Sequence, residues 1–263
     1  MRVAGVPDEG PTRGISSAAS QPKGCKTFSG HHSLIHRILR GRAVGYGISV
    51  DQMPGTLGAY VDESSCNRSD STQEYLIGAA IMDAADEVAI REELRPLLLP
   101  GQIKLHWTDE RESRRRRIVS AIASLEPMNF IVAHLSQRQA KTERFRRKCL
   151  ETLYYELAGH EVYSVTLESR GAQDKSDRAH IVALQGQGLN KGVRIQHLRG
   201  GDEPLLWIAD AVLGSLNSAY LGEPAHFEAL QDTIMVQQHT PDSLVHLEEG
   251  KRKALDPVVR LGF

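Results

Sequence analysis

The chain has 263 residues, 40% of them hydrophobic and 25% charged, with a formal net charge of -1. At roughly 100–200 residues per domain this allows one large domain or two small ones, and the composition excludes disordered, collagen-like and coiled-coil chains. The longest apolar run, Tyr75 to Met82, falls far short of the ~20 residues a membrane helix needs. Residues 1–30 lack the apolar stretch of a secretion signal, so the sequence is expected to be that of a soluble cytoplasmic protein. Cys25, Cys66 and Cys149 are odd in number, widely spaced and form no CxxC pair; this argues against a disulfide framework or a cysteine zinc site.

Residues 1–58 hold ten of the 23 glycines, with seven Lys/Arg against three Asp/Glu. They carry no hydrophobic period, so residues 1–56 are expected to be a disordered extension, with at most a short helix at His32–Arg40. From Leu57 the periods change repeatedly. Leu57–Val61 and Tyr75–Met82 are β-like runs joined by the polar stretch ESSCNRSDSTQ, which predicts a hairpin. Asp83–Leu99 reads as a helix stopped by Pro100-Gly101, and Ile103–Trp107 as a short strand. Thr108 resembles an N-cap, with acidic residues opening a helix to Leu125. Met128–Leu135 reads as a strand, and residues 140–159 as an amphipathic helix with Phe145, Cys149, Leu153 and Leu157 on one face. A strand Val162–Leu167, a polar loop, a helix Arg178–Gln187, a strand Val193–Leu198 and a very apolar helix Glu203–Tyr220 follow. Residues 224–263 are expected to form a short helix and a loose tail. A hairpin followed by alternating helices and strands predicts an α/β three-layer domain over residues 57–222, with a mixed central sheet and flanking helices.

Three carboxylates fall at strand ends or in apolar surroundings: Asp62 after the first strand, Glu168 after VYSVTL, and Asp210 inside PLLWIADAVLGSL. A buried lone carboxylate is costly unless paired, protonated or bound to a cation. Gly214, one turn after Asp210, and the neighbouring alanines would let another element approach it closely. Carboxylates converging above a sheet edge suit Mg²⁺ or Mn²⁺, and two such ions about 4 Å apart can assist phosphodiester cleavage. Singly, each has a plainer reading: Asp62 could cap a turn, Glu168 could face solvent, and Asp210 could pair with an arginine.

AYVDESS, the KLHW segment and PLLWIADAVLGSLNSAY together resemble the domain-of-unknown-function (DUF) 3800 family, over roughly residues 57–222. The resemblance implies a ribonuclease-H-like fold and a metal-dependent nuclease. It implies that Asp62 is the first-strand ligand, Asp210 the ligand on the late helix, and Glu168 the acidic residue of the central region. Glu63 belongs to the same DES motif, but a strand neighbour points to the opposite face. In ribonuclease H proper a further carboxylate lies on the first helix after the hairpin strands; here the candidates are Asp109, Glu110 and Glu112. Asp174 and Asp177 are further candidates, for which loop solvation is the plainer reading.

Residues 109–148 hold eleven Lys/Arg against five Asp/Glu. Arg114, Arg115, Arg116 and Arg117 on one helix, and Arg144, Arg146, Arg147 and Lys148 on the next, predict a basic surface for the phosphate backbone of DNA or RNA. The alternative is a solvated face. No zinc finger, RNP aromatics or Gly-rich phosphate loop accompanies them, so sequence-specific binding has no support. His106 could reach the site as a proton shuttle or ligand, or be structural; Trp107 and Trp207 are expected in the core. GQGLNKG follows a helix instead of opening one, and fails the phosphate-loop context. Two functions from different classes remain: a nuclease, general or acting as a dimer on branched DNA, and a non-catalytic scaffold in a defence or mobile-element system.

Overall fold

The computed structural model describes residues 57–245. The expected N-terminal extension, its short helix, Cys25 and the end of the C-terminal tail lie outside the described residues. Six strands form one mixed sheet: β1 (Leu57–Asn67), β2 (Thr72–Asp83), β3 (Met128–Gln137), β4 (Ser164–Glu168), β5 (Arg194–Leu198) and β6 (Ile234–His239). Their order is β5-β4-β1-β2-β3-β6. Only β2 runs antiparallel to its neighbours; the β1–β4, β4–β5 and β3–β6 pairs are parallel. The helices are α1 (Glu87–Leu94), α2 (Glu112–Leu125), α3 (Glu143–Gly159), α4 (Asp174–Gly186), α5 (Leu206–Tyr220) and α6 (Ala225–Leu230).

The alternation of side chains along each strand builds two cores. On one face Tyr60, Leu76, Ala80 and Ile131 pack against Ile118 and Ile122 of α2 and against Ile208, Val212 and Leu213 of α5. On the other, Val61, Ile77, Phe130 and Val132 pack against Phe145, Cys149, Leu153 and Leu157 of α3 and Ile181 of α4. The chain is therefore the expected three-layer α/β domain with a mixed central sheet and flanking helices, and β2, buried on both faces from Gln73 to Met82, is its central apolar strand. Trp107 and Trp207 are buried, as expected.

Several boundaries differ from expectation. The stretch read as a long polar turn continues both hairpin strands, and only residues 68–71 reverse the chain. Polar pairs between the strands carry it: the Tyr75 hydroxyl donates to Glu63 Oε2 at 2.7 Å, and Arg68 donates to Glu74 Oε2 at 2.7 Å from Nε. Residues 103–106 form no strand; Ile103 is 79% exposed, and the segment leads into a 3₁₀ turn over Trp107–Asp109. Thr108 lies in that turn, and α2 begins at Glu112, with Arg111 at the cap position. Helix α4 begins at Asp174, not Arg178, so Asp174 and Asp177 lie in its first turn. Residues 234–239, assigned to the tail, form β6, which pairs parallel to β3.

Helix α5 docks through two glycines. Leu213 fills the place above Gly78, where an added Cβ would lie 2.9 Å from Leu213 Cγ, and Trp107 lies against Gly214, where a Cβ would lie 2.2 Å from Trp107 Cγ. The close approach anticipated at Gly214 is thus made by the indole, whose Nε1–H donates to Ser218 Oγ at 3.2 Å. Gly214→Ala is expected to cost about 1–3 kcal/mol through overpacking. Urea unfolding would show it as a lower midpoint with an unchanged slope.

Candidate metal centre

The parallel register of β1 and β4 places Val61 opposite Leu167. The next residues, Asp62 and Glu168, are therefore neighbours at the ends of adjacent strands. Tyr60 and Thr166 share their side of the sheet, the side that α5 covers, so both carboxylates face that helix. Asp210 comes from the first turns of α5. The three expected carboxylates thus come together from residues far apart in sequence: Asp62 and Glu168 are within hydrogen-bonding reach of each other, and the charges of Glu168 and Asp210 act on Asp62.

Each carboxylate is tied differently. The Glu63 N–H donates to Asp62 Oδ1 at 2.7 Å, and the Trp107 N–H to Asp210 Oδ2 at 2.7 Å. His106 Nδ1 stands 3.9 Å from Asp210 Oδ1. The Lys104 ammonium donates to Glu168 Oε1 at 2.6 Å. Burial, followed by repulsion from Glu168 and Asp210, holds the Asp62 carboxyl well above the usual carboxylate range. Burial also raises Asp210, against the opposing pull of the Trp107 N–H, His106 and Lys104. Burial alone would lower Lys104, but its bond to Glu168 and the fields of Asp62 and Asp210 outweigh it and keep the ammonium charged above its ordinary range.

A cavity of about 210 Å³ opens at this end of the sheet, lined by Val61, Asp62, Glu63, Arg146, Glu168, Ser169 and Arg170. Glu63 lies on its far side, facing the α3 layer, where it meets Arg146 and Tyr75. Arg146 is buried and grips Asp177 through Nε at 3.1 Å and Nη2 at 2.9 Å. Arg170 donates to Asp177 at 3.2 Å and to Glu143 at 3.0 Å, and His197 Nε2 is 3.1 Å from Asp177 Oδ2. Asp177 is therefore part of an ion-pair network on the opposite face, not solvated in a loop. Asp174 accepts from the Ser169 hydroxyl and the Arg170 N–H, both at 2.7 Å.

The other candidates do not join the carboxylates. Glu110 is buried and held by Gln102 and Arg114; Asp109 is exposed; Glu112 pairs with His226 at 2.9 Å. The basic runs form no single surface, because α2 and α3 pack on opposite faces of the sheet. Arg116, Arg117, Arg144 and Arg147 are exposed. Arg114 is instead bound to Glu110, Arg115 donates to the Trp107 carbonyl at 3.2 Å and lies over its ring, and Lys148 pairs with Asp242.

Lys104 is the member of the site that the sequence reading passed over. The signal was present: in KLHW an extended backbone puts Lys104 and His106 on one side and Leu105 and Trp107 on the other, and the latter two are buried. Arg146 also had a signal, since it heads the row continued by Leu150, Leu153 and Leu157.

Among the described residues, no group of three or more His, Cys, Asp or Glu side chains is arranged ready to hold a metal ion. The chemistry of the donor set nevertheless fits one. Three carboxylates share one contacting ammonium, and two of them are driven towards protonation. Hard oxygen donors with that charge deficit suit a divalent cation.

No family model matches the chain, and no curated protein does. Among solved structures it is similar to a mutant of Bst-RNase HIII, at 11% identity and a TM-score of 0.32 over 74% of this chain and 63% of that one. It is also similar to Bst-RNase HIII in complex with Mn²⁺, at 12% identity and a TM-score of 0.33 over 72% and 63%. The chain spans less than two thirds of the length of both. Among the described residues, no helix is long and apolar enough to cross a membrane.

Proposed function

We propose that the protein is a divalent-metal-dependent hydrolase of phosphodiester bonds in DNA or RNA. The observation that supports this most is the meeting of Asp62, Glu168 and Asp210 at one sheet end with a deficit of positive charge. Asp62, Glu168 and Asp210 would hold Mg²⁺ or Mn²⁺. The ion's chemistry, when bound, is to activate water and to stabilise the leaving oxygen.

The chain's own residues set the geometry around it. The Trp107 N–H fixes one oxygen of Asp210 and leaves the other 3.9 Å from His106 Nδ1. His106, 45% exposed in its side chain, is placed to exchange a proton with solvent. The exposed Arg116, Arg117, Arg144 and Arg147 would attract a polyanion without reading its sequence. The scaffold reading has one observation in its favour: Lys104 already neutralises part of the cluster, as a protein with no need of metal would require.

Thermal melting in EDTA, Mg²⁺ and Mn²⁺ separates the two. Ligand that binds only the folded state raises the melting temperature by mass action, by about 2.7 kcal/mol of stability at 100 times Kd. The wild type is expected to melt higher in Mn²⁺, and Asp210→Asn, which keeps the acceptor for the Trp107 N–H, is expected to lose that rise. Cleavage of labelled single- and double-stranded DNA and RNA should follow the same pattern. No rise in the wild type and no cleavage would favour the scaffold.

A further inference from the structure

The ammonium of Lys104 lies where a cation would be most stabilised. It is 2.6 Å from Glu168 Oε1 and in the fields of Asp62 and Asp210. Its place is shaped to receive it. Gly200 is buried above the pair, and a Cβ there would lie 2.6 Å from Glu168 Oε1 and 2.9 Å from Lys104 Cδ. The Trp207 Nε1–H donates to the Gly200 carbonyl and holds that glycine over the ion pair. The segment carrying Lys104 is built differently from the rest of the site. Residues 101–106 contain no helix or strand, and Ile103 beside the lysine is 79% exposed. Lys104 can therefore leave Glu168 without breaking a sheet or helix hydrogen bond, whereas the backbones of Asp62, Glu168 and Asp210 are fixed in β1, β4 and α5.

We propose that Lys104 is a built-in counter-ion of the carboxylate cluster, held in the cation's place until a divalent metal displaces it. The inference rests on the metal reading given above and adds its regulation. One flexible side chain both stabilises the metal-free domain and sets the metal concentration at which the site fills. Two like charges cannot share the cluster cheaply, because a unit charge about 4 Å from an ion is felt strongly in a partly buried site. Metal entry and lysine exit are thus one exchange.

Calorimetric titration of Mn²⁺ into the full chain tests this with wild type and Lys104→Met, which keeps the length of the side chain and removes its charge. The variant is expected to bind Mn²⁺ at least about tenfold more tightly. Its melting curves should also cross those of the wild type, lower in EDTA and higher in saturating Mn²⁺. A lysine that only supports the fold would lower both. Equal or weaker Mn²⁺ binding by the variant, with binding in the wild type intact, overturns the inference alone. Absence of Mn²⁺ binding in both proteins overturns the metal reading and this inference with it.

A measurement on the wild type does not depend on the variant folding. Reductive methylation of Lys104, followed by mass spectrometry of its peptide, should be several-fold faster in Mg²⁺ than in EDTA, because the displaced ammonium faces solvent. An unchanged rate overturns the exchange.

Discussion

Replacing Asp62 by Asn is expected to make the metal-free protein more stable while removing Mn²⁺-dependent cleavage, by about 10²–10³-fold or more. The two effects have one cause. Asp62 is held above the usual carboxylate range by burial and by its acidic neighbours, so ionising it in the folded state costs free energy that the unfolded chain does not incur. An amide avoids that cost and still accepts the Glu63 N–H. At about 2–4 °C per kcal/mol for a domain of this size, the rise should be several degrees.

The pH dependence carries the sign. Above the ordinary Asp value the unfolded chain has released the proton that folded Asp62 retains. The folded state then binds more protons, and stability falls as pH rises towards the folded pKa. Melts of wild type and Asp62→Asn in EDTA, from pH 4 upwards, should therefore diverge, with the variant increasingly the more stable. Parallel curves would remove Asp62 from the cluster's electrostatics. Such a gain of stability on loss of a charged site residue is the usual trade between activity and stability.

The second large effect lies on the other face. Arg146→Met is expected to destabilise the domain by about 3–5 kcal/mol, because it leaves Asp177 and Glu63 without their main cation. Arg146 and Asp177 have side chains only 3% and 2% exposed, so water cannot replace what is lost. Burial would raise Asp177, but its bonds to Arg146 and His197 outweigh it and hold the carboxyl below the usual range. That contribution is present above the unfolded Asp pKa and is lost as pH falls through the folded one. Wild type should lose stability on acidification through that window, and Arg146→Met should lose less. Urea midpoints at pH 7 and below the ordinary Asp value, at about pH 3 and lower, measure both. Arg147→Met, one residue on and exposed, serves as the control and should lie within about 0.5 kcal/mol of wild type.

What could be read from the sequence, and what could not, follows from range. Apolar periods are local, so β3, α3 and α5 were legible almost to their ends, and with them the layered class of the fold. The hairpin strands were cut short because Glu63 and Glu74 look like turn residues until their partners Tyr75 and Arg68 are known. β6 was hidden for a similar reason: its half-buried QQH carries no alternation, and only pairing with β3 makes it a strand. Ile103–Trp107 alternates like a strand, yet Leu105 and Trp107 join the core that α2 and α5 cover while Ile103 stays exposed, and no neighbouring strand pairs with them.

At the site, Asp62, Glu168 and Asp210 announced themselves as carboxylates in apolar or strand-end positions. Lys104 did not, because a lysine in a polar stretch is ordinary and its partner lies 64 residues away. Arg146 was hidden by its neighbours. Four basic residues in a row of five read as one surface, although the helix turns one of them inward.

The centre is assembled from residues 62, 104, 168 and 210, which span most of the described chain. Asp62 and Asp210 are separated by 148 residues, which a ribosome takes about 7–30 s to add at about 5–20 residues per second. Through that interval Asp62 is already made, while the helix that brings Asp210 and closes over β1 and β2 is not. No earlier length of nascent chain can hold the three carboxylates together. The proposed metal centre is thus absent throughout synthesis of β1 to β5 and comes into being only when α5 folds down.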